Sequence, residues 1–149
     1  MKWFTKPFEE LDIYTLYNII ALRIDVFILE QTCLYPELDY KDQSSLHLYA
    51  MDEQSNIKAY LRILPPGVSY AEVSIGRVVV SPAARGTQLG RDLMQRAIKQ
   101  INDVYGKVPI RISAQAYLES FYTSLGFQPV SEIYLEDDIP HLEMLFSTE

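Results

Sequence analysis

Apolar residues recur at helical spacing in three segments of the chain. Asp12 precedes apolar residues three and four positions apart that continue to Phe27, a pattern that predicts a capped amphipathic helix. A second stripe extends from Leu89 to Ile101, with charged residues on the other faces of the predicted helix. Residues 117–125 predict a short aromatic-rich helix that ends at a glycine, as many helices do.

The segments between these helices have the alternating or β-branched pattern of strands. Residues 47–51 and 57–64 flank a polar turn and predict a hairpin, while residues 71–80 predict a central strand. Later strands are predicted over residues 108–114, 127–130 and 142–146. This order, with a hairpin early and crossovers late, predicts one α/β domain over residues 1–149, with a mixed sheet flanked by helices.

Composition restricts the class of protein. No apolar run approaches the roughly 18 residues that a membrane span needs, and the N-terminus lacks the apolar segment of a secretory signal. The single cysteine, Cys33, cannot form an internal disulfide, so we expect a cytoplasmic protein with no membrane partner. The net charge of -7 argues against a nucleic-acid partner, because binding phosphates requires a basic surface.

Charge is distributed unevenly along the sequence. Residues 76–111 carry seven basic and two acidic side chains, whereas residues 28–53, which include a predicted polar loop, carry six acidic and one basic. This polarity indicates an anionic ligand near the basic segment and a cationic one near the acidic segment. The alternative is a solvated helix face beside an acidic loop.

The transition from strand to helix in "VVVSPAARGTQLGRDLM", residues 78–94, has the composition of an anion-binding turn. A helix that starts here leaves its first amide groups without partners, and the helix dipole adds partial positive charge. Gly86 and Gly90 allow close approach, and Arg85 and Arg91 can contact the outer oxygens of a phosphate or pyrophosphate. The spacing matches neither G-x-G-x-x-G nor G-x-x-x-x-G-K-[ST], so it does not support a Rossmann or P-loop site.

The same turn resembles the acetyl-coenzyme A (acetyl-CoA) binding segment of the GNAT superfamily of N-acetyltransferases, R/Q-x-x-G-x-G/A. Arg85 and Gly90 match this pattern, and Gln88 stands where the family usually has glycine. Phosphate is bound by main-chain amides, so we expect the Gln88 amide to serve equally if its backbone is helical.

A second segment, "AQAYLESFYTSLGF", is similar to the family's N-x-x-A-x-x-F-Y-x-x-x-G-F helix. Phe121, Tyr122 and Gly126 match, whereas Gln115 replaces the asparagine and Leu118 the alanine. The stretches "FILEQTCLYPELDYKD" and "YLEDDIPHLEML" are similar to the ElaA-type branch of the superfamily, so the resemblance extends over nearly the whole chain.

The resemblance implies a GNAT fold and transfer of the acetyl group of acetyl-CoA to a primary amine by direct attack in a ternary complex. In this fold two parallel strands splay apart and the cosubstrate lies in the gap, bonded to the backbone of the first strand. The implied cosubstrate-binding residues are Val78, Val79, Val80, Arg85, Gly86, Thr87, Gln88, Leu89, Gly90, Arg91, Gln115, Phe121 and Tyr122.

Catalytic roles also follow from the resemblance. Tyr122 aligns with the family's tyrosine and is expected to protonate the departing thiolate, since tyrosine is protonated at neutral pH. Glu30 and His47 are the leading candidates for the base, and Glu37, Asp39 and His141 are others. A structural role is the alternative for both histidines. No spacing typical of a metal site is present, so no metal is expected.

The acceptor and the oligomeric state are less constrained. The acidic loop favours a cationic amine, either a small molecule or a peptide, and the sheet edges are compatible with a homodimer. Within the same fold, the chain also resembles the front half of acyl-homoserine-lactone synthases, whose acidic and arginine residues face the substrate. The matching residues are Arg23, Phe27, "ELDYKD" and Arg62. Two further classes of protein fit these residues, a non-catalytic acyl-CoA-binding module and a plain nucleotide binder.

Overall fold

The computed structural model describes residues 1–147, in which eight strands form one sheet with helices on both faces. The strands are β1 (Lys2–Pro7), β2 (Leu46–Met51), β3 (Ile57–Leu64), β4 (Val73–Val80), β5 (Ile110–Gln115), β6 (Phe127–Pro129), β7 (Tyr134–Glu136) and β8 (Ile139–Phe146). They are ordered β1-β2-β3-β4-β5-β8-β6, and β7 pairs with β8. Among residues 1–147, only β4 and β5 pair in parallel, so the predicted mixed sheet is confirmed.

The three α-helices lie where the apolar periodicity predicts them. They are α1 (Ile13–Arg23), α2 (Leu89–Tyr105) and α3 (Glu119–Ser124). Asp12 caps α1 by accepting a hydrogen bond from the Thr15 amide at 2.8 Å. The helix continues as a π-helical segment over Ile24–Glu30, a variant often found at functional sites. No helix among residues 1–147 has the length and apolar character needed to cross a membrane.

Two strands were not predicted from the sequence. β1 pairs antiparallel with β2 at the edge of the sheet, and β7 forms a tight hairpin with β8. β1 contains two lysines and ends at a proline, features that suit an edge strand but weaken the apolar alternation on which the prediction depended. β7 has only three residues, too few for a periodic signal.

The sheet is covered by hydrophobic clusters on its two faces. The buried stripe of α2, which includes Leu93, Met94, Ala97 and Ile101, packs in the larger cluster with apolar residues of the sheet. The smaller cluster joins α1 and the π-helical segment to the opposite face. Burial of these side chains supplies most of the driving force for folding.

The central feature of the sheet is the divergence of β4 from β5. Their pairing is limited to Val73 with Ile110 and Ser74 with Arg111. Opposite β3, the register of β4 shifts between Gly76 and Val79, and Arg77 takes a left-handed backbone with φ 52°. Such a bulge bends a strand and increases its twist. The two strands therefore separate beyond Ser74 and leave a cleft between them, as the resemblance implied.

Candidate active site

The cleft between the diverging strands opens into a cavity of about 530 Å³. Its walls come from β4, the π-helical segment, the start of α2 and the segment that contains α3. Among the predicted site residues, those in its lining are Glu30, Val78, Val79, Val80, Arg85, Gly90, Gln115, Phe121 and Tyr122. The fold thus brings two motifs that are about 30 residues apart in sequence to the same cavity.

The turn that begins α2 presents a row of free amide groups. Within the described residues, the amides of residues 86–91 donate no hydrogen bond, and the first helical bond runs from the Asp92 amide to the Gln88 carbonyl at 3.1 Å. Unpaired amides at the start of a 17-residue helix attract anions. The Leu89 side chain is buried in the core, so only its backbone is available to a ligand.

Gln88 differs from the expectation of a helical backbone. Its φ of 65° and ψ of 8° are left-handed, and Gly86 also has a positive φ of 81°. A non-glycine residue in this region carries about 1 kcal/mol of strain. The turn therefore retains a conformation that favours glycine even though glutamine occupies it. Thr87 stabilises the turn by donating its hydroxyl to the Ala84 carbonyl at 2.6 Å.

Arg85 and Glu30 form an ion pair in the lining of this cavity. The two guanidinium nitrogens of Arg85 donate to the Glu30 carboxylate at 2.6 and 2.7 Å. These hydrogen bonds lower the pKa of the Glu30 carboxyl. A carboxylate that is paired beside the helix N-terminus is poorly suited to accept a proton from an amine, so its position gives no support to Glu30 as the base.

The three valines of β4 have side chains that belong to the hydrophobic clusters. Val79 is buried against the face covered by α1, while Val78 and Val80 pack against the cluster of α2. Their contribution to ligand binding would come from the backbone edge that β5 leaves without a partner beyond Ser74. Beside this edge, Arg91 donates to the Ser124 hydroxyl at 2.8 Å, and its guanidinium lies 5.7 Å from the Phe121 ring centroid.

Tyr122 lies where the cleft meets a second cavity. Its side chain is only 6% exposed and packs edge-to-face with Phe121 and Phe127. Its hydroxyl has no hydrogen-bond partner among the described residues, and the residue lines both cavities. Burial raises the pKa of Tyr122. The hydroxyl therefore remains protonated at neutral pH and is free to donate.

The second cavity lies on the other side of Tyr122, against β5, β7 and β8. It shares Phe27, Gln31, Val78, Gln115, Leu118 and Tyr122 with the first cavity. The remaining polar residues of its lining are Cys33, Tyr35, Arg77, Ser113, Glu136, Asp137 and His141. The shared residues make a continuous path from the free amides of α2 to this second group of polar side chains.

His141 has the geometry of a base in this second cavity. The side chain is 7% exposed, and its Nδ1 lies 2.7 Å from the Ile139 carbonyl oxygen. A carbonyl only accepts, so Nδ1 carries the proton and Nε2 keeps its lone pair in the neutral ring. The nearest charged group is Glu136, 3.7 Å from Nε2, and the ring stacks on Tyr134. Nε2 is therefore available to accept a proton.

His47, in contrast, has a structural position. It is fully buried, with Nδ1 2.7 Å from the Tyr60 hydroxyl and Nε2 2.9 Å from the Asp42 carbonyl. Burial lowers its pKa. Both ring nitrogens are occupied and the residue lines neither cavity, so its position gives no support to His47 as the base.

The acidic loop is neutralised by three arginines. Glu37 accepts from the Nε atoms of Arg23 and Arg77, both at 2.7 Å. Asp39 and Asp42 bind Arg62, and Asp42 also accepts from Arg23 at 2.9 Å. Burial alone would raise the pKa of Asp39, but hydrogen bonds from Arg62 outweigh it and hold the pKa below its ordinary value.

This ion network changes the interpretation of the sequence. The loop does not present the free negative charge that was expected to attract a cationic acceptor. Glu37 and Asp39 are held by guanidinium groups, so their positions do not support a role as base either. The network instead fixes the loop to α1, β3 and the bulge of β4.

Residues 136–137 were missed as site residues. Glu136 ends β7, and Asp137 and Asp138 form a two-residue turn with φ values of 51° and 64°. The sequence contained a signal for this turn, because two aspartates between apolar stretches favour a hairpin turn with positive φ. Within residues 1–147, no group of three or more His, Cys, Asp or Glu side chains is arranged to hold a metal ion.

A bulged strand, a splayed parallel pair and an amide-lined turn at the next helix define an acyl-CoA N-acyltransferase fold. Residues 21–147 match the model of the acetyltransferase (GNAT) domain. The chain belongs to the GNAT acetyltransferase family. The fold of this family generally binds acyl-CoA, and the residues around the cleft fit that ligand.

Comparison with individual proteins agrees with this assignment. The crystal structure of an acyl-CoA N-acyltransferase from Pseudomonas aeruginosa is 41% identical, with a TM-score of 0.93 over 99% of this chain and 100% of that one. The protein ElaA of Escherichia coli strain K12 is 37% identical over 145 residues, 97% of this chain and 95% of ElaA. The crystal structure of Escherichia coli ElaA has a TM-score of 0.91. The resemblance to the ElaA-type branch is confirmed.

The acyl-homoserine-lactone synthases share the fold at a greater distance. The crystal structure of the CoA-dependent synthase BjaI, with SAM and isopentyl-CoA, has a TM-score of 0.77 over 96% of this chain and 80% of that one. The identity is 16%. At this level the similarity concerns the fold alone.

Proposed function

We propose that the protein is an N-acetyltransferase that transfers the acetyl group of acetyl-CoA to a primary amine. The observation that carries this proposal is the continuous cleft from the free amides of residues 86–91, past Tyr122, to the cavity that contains His141. A pyrophosphate at the amides and an extended thiol arm along β4 would bring the thioester next to Tyr122. The acceptor amine would enter from the second cavity.

The chain's own groups can meet the proton requirements of this reaction. His141 Nε2 removes a proton from the entering ammonium, and the neutral nitrogen attacks the thioester carbon. A carbon–nitrogen bond forms, the carbon–sulfur bond breaks, and the electron pair of that bond passes to sulfur. Tyr122 donates its proton to the thiolate and is reprotonated by the second proton lost by nitrogen, while His141 releases its proton to solvent. The products are an amide and a free thiol.

Binding and turnover test the proposal separately. Titration calorimetry with coenzyme A should give one site, and release of free thiol from acetyl-CoA should depend on an added amine. Absence of coenzyme A binding by folded protein would refute the proposal. Binding of coenzyme A without acetyl transfer to any amine would instead favour a non-catalytic acyl-CoA-binding module. Displacement of coenzyme A by ATP would favour a nucleotide binder.

The lactone synthase alternative has less support. The residues that resemble those synthases, Arg23, Glu37, Asp39, Asp42 and Arg62, are bonded to one another in the ion network. They leave no free charge for a sulfonium substrate. Incubation with an acyl-carrier protein and S-adenosylmethionine should therefore give no lactone.

Arg85→Ala should weaken coenzyme A binding about tenfold. Arg85 directly precedes the free amides of residues 86–91 and lines the cavity, and loss of one charge-assisted contact to phosphate costs roughly 1.5 kcal/mol. Calorimetry measures the dissociation constant. Lys99→Ala is the matched control, because this exposed lysine lies on the same helix outside the cleft and should leave affinity unchanged. Equal affinity of Arg85→Ala and the native protein would contradict the role.

His141→Gln should lower kcat about tenfold at pH 7 and leave coenzyme A affinity within about twofold, because the variant removes the nitrogen that accepts the proton of the amine. The deficit should shrink at pH 9, where more of the amine is already deprotonated, given its usual pKa of about 10.4. A pH profile of kcat checks both statements. A constant deficit at all pH values would point to a structural role for His141.

A further inference from the structure

The second cavity contains two carboxylates that no arginine or lysine side chain of the described residues neutralises. Glu136 and Asp137 line it, and neither forms an ion pair with an arginine or lysine within the described residues. The acids of the loop are in contrast neutralised by the ion network, and Glu143 nearby is bound by Arg111 at 2.9 Å. Arg77 also lines the cavity, but its guanidinium is already bonded to Glu37 and Asp39. The charges of Glu136 and Asp137 are therefore not compensated by an arginine or lysine, and the ring nitrogen near them is His141 Nε2, 3.7 Å from Glu136.

The Glu136 carboxylate and the backbone of Asp137 are held in place. The Ser113 hydroxyl donates to Glu136 at 3.1 Å, and Glu136 pairs with Ile139 across the hairpin. The Cys33 thiol donates to the Asp137 carbonyl at 3.1 Å and so ties the turn to the segment after the π-helical segment. A fixed position lets the carboxylates recognise a charge at a defined distance from the reacting centre.

The unpartnered reactive atoms lie deeper than the carboxylates. The Tyr122 hydroxyl and His141 Nε2 belong to side chains that are more than nine-tenths buried, whereas Glu136 and Asp137 are exposed at the mouth. A ligand that fills this cavity therefore meets an acid and a base at its inner end and two negative charges at its outer end.

We propose that the acceptor is a small aliphatic diamine, whose reacting nitrogen lies beside His141 and whose second ammonium is bound by Glu136 and Asp137. This inference rests on the proposed function. The reacting nitrogen must lose its ammonium charge before it attacks, so a monoamine has no ammonium left to bind Glu136 and Asp137. A diamine retains one, and the two carboxylates stabilise it at the mouth.

The test compares diaminopropane, diaminobutane and diaminopentane, each with the n-alkylamine that has the same number of carbons. We expect kcat/KM to be at least about fivefold higher for one of the diamines than for its monoamine. In the double variant Glu136→Gln, Asp137→Asn this preference should disappear, judged by the ratio of kcat/KM for each diamine to that for its monoamine, because a change at His141 affects both substrates alike. Glu132→Gln, an exposed acid outside the cavity, should keep the full preference.

The outcomes separate this inference from the proposed function. Equal kcat/KM for diamines and monoamines, or a preference that survives the double variant, would overturn the diamine assignment and leave acetyl transfer intact. Failure to acetylate any amine while coenzyme A is bound would overturn the assignment and the proposed transfer together. The diamine assignment is supported if the preference for a diamine over its monoamine is lost in the double variant and kept in Glu132→Gln. The coenzyme A affinity of the double variant, measured by calorimetry, should then be unchanged.

Discussion

Tyr122→Phe should lower kcat about 100-fold and leave coenzyme A affinity within about twofold. General acid catalysis by a positioned side chain contributes roughly this factor. The phenylalanine ring keeps the edge-to-face packing with Phe121 and Phe127, so the change removes only the hydroxyl. Steady-state thiol release gives kcat, and calorimetry gives the dissociation constant.

Tyr105→Phe is the matched control for this substitution. Tyr105 ends α2 and is a half-buried tyrosine that packs against the same hydrophobic cluster, outside both cavities. Loss of its hydroxyl should leave kcat unchanged within about twofold. If Tyr122→Phe reduced kcat and coenzyme A affinity by the same factor, Tyr122 would be a binding residue and not the acid.

Arg23→Met should lower the free energy of unfolding by about 3 kcal/mol or more. Arg23 is fully buried and binds Glu37 and Asp42, so its removal leaves buried carboxylates with less compensation. Urea denaturation at pH 7 measures the change. Lys99→Met, which removes an exposed lysine paired with Asp103, should change stability by less than about 0.5 kcal/mol. A change below about 1 kcal/mol for Arg23→Met would show that the network contributes little to stability.

The same network sets the expected response to acid. The pKa values of Asp39 and Asp42 in the folded protein lie below their ordinary value of 3.8. Their contribution to stability is therefore present above the unfolded pKa and is lost as the pH falls below about 4. Arg23→Met removes one cause of the lowered pKa of Asp42. The difference in free energy of unfolding between the native protein and Arg23→Met should therefore narrow as the pH falls below about 4. Denaturation experiments at several pH values measure this difference.

The predicted site residues that the fold brings together are those with a local sequence signal. The turn of residues 85–91 and the helix that carries Tyr122 depend on glycines, arginines and aromatic residues at short spacing, and the fold brings both to one cavity. The base has no such local signal, because whether a carboxylate can accept a proton depends on its neighbours. Glu30 binds Arg85, which lies 55 positions later in the chain.

The charge pattern gives a second example. The sequence analysis placed the cationic acceptor at the acidic loop, and only the paired geometry shows that Arg23, Arg62 and Arg77 neutralise it. The free carboxylates lie instead on the turn between β7 and β8, a hairpin whose first strand has three residues. So short an element has no periodicity to detect.

The sequence by itself determined the helices, most of the strands, the amide-rich turn at the start of α2 and the family, because these depend on periodicity and on residues close together in the chain. The tertiary structure alone decided where β4 leaves β5, which carboxylates remain free and which histidine faces the cavity. Those properties depend on a bulge at Arg77 and on contacts between residues far apart in sequence, such as Gln31 with Gln115. Packing, and not local preference, fixes such contacts.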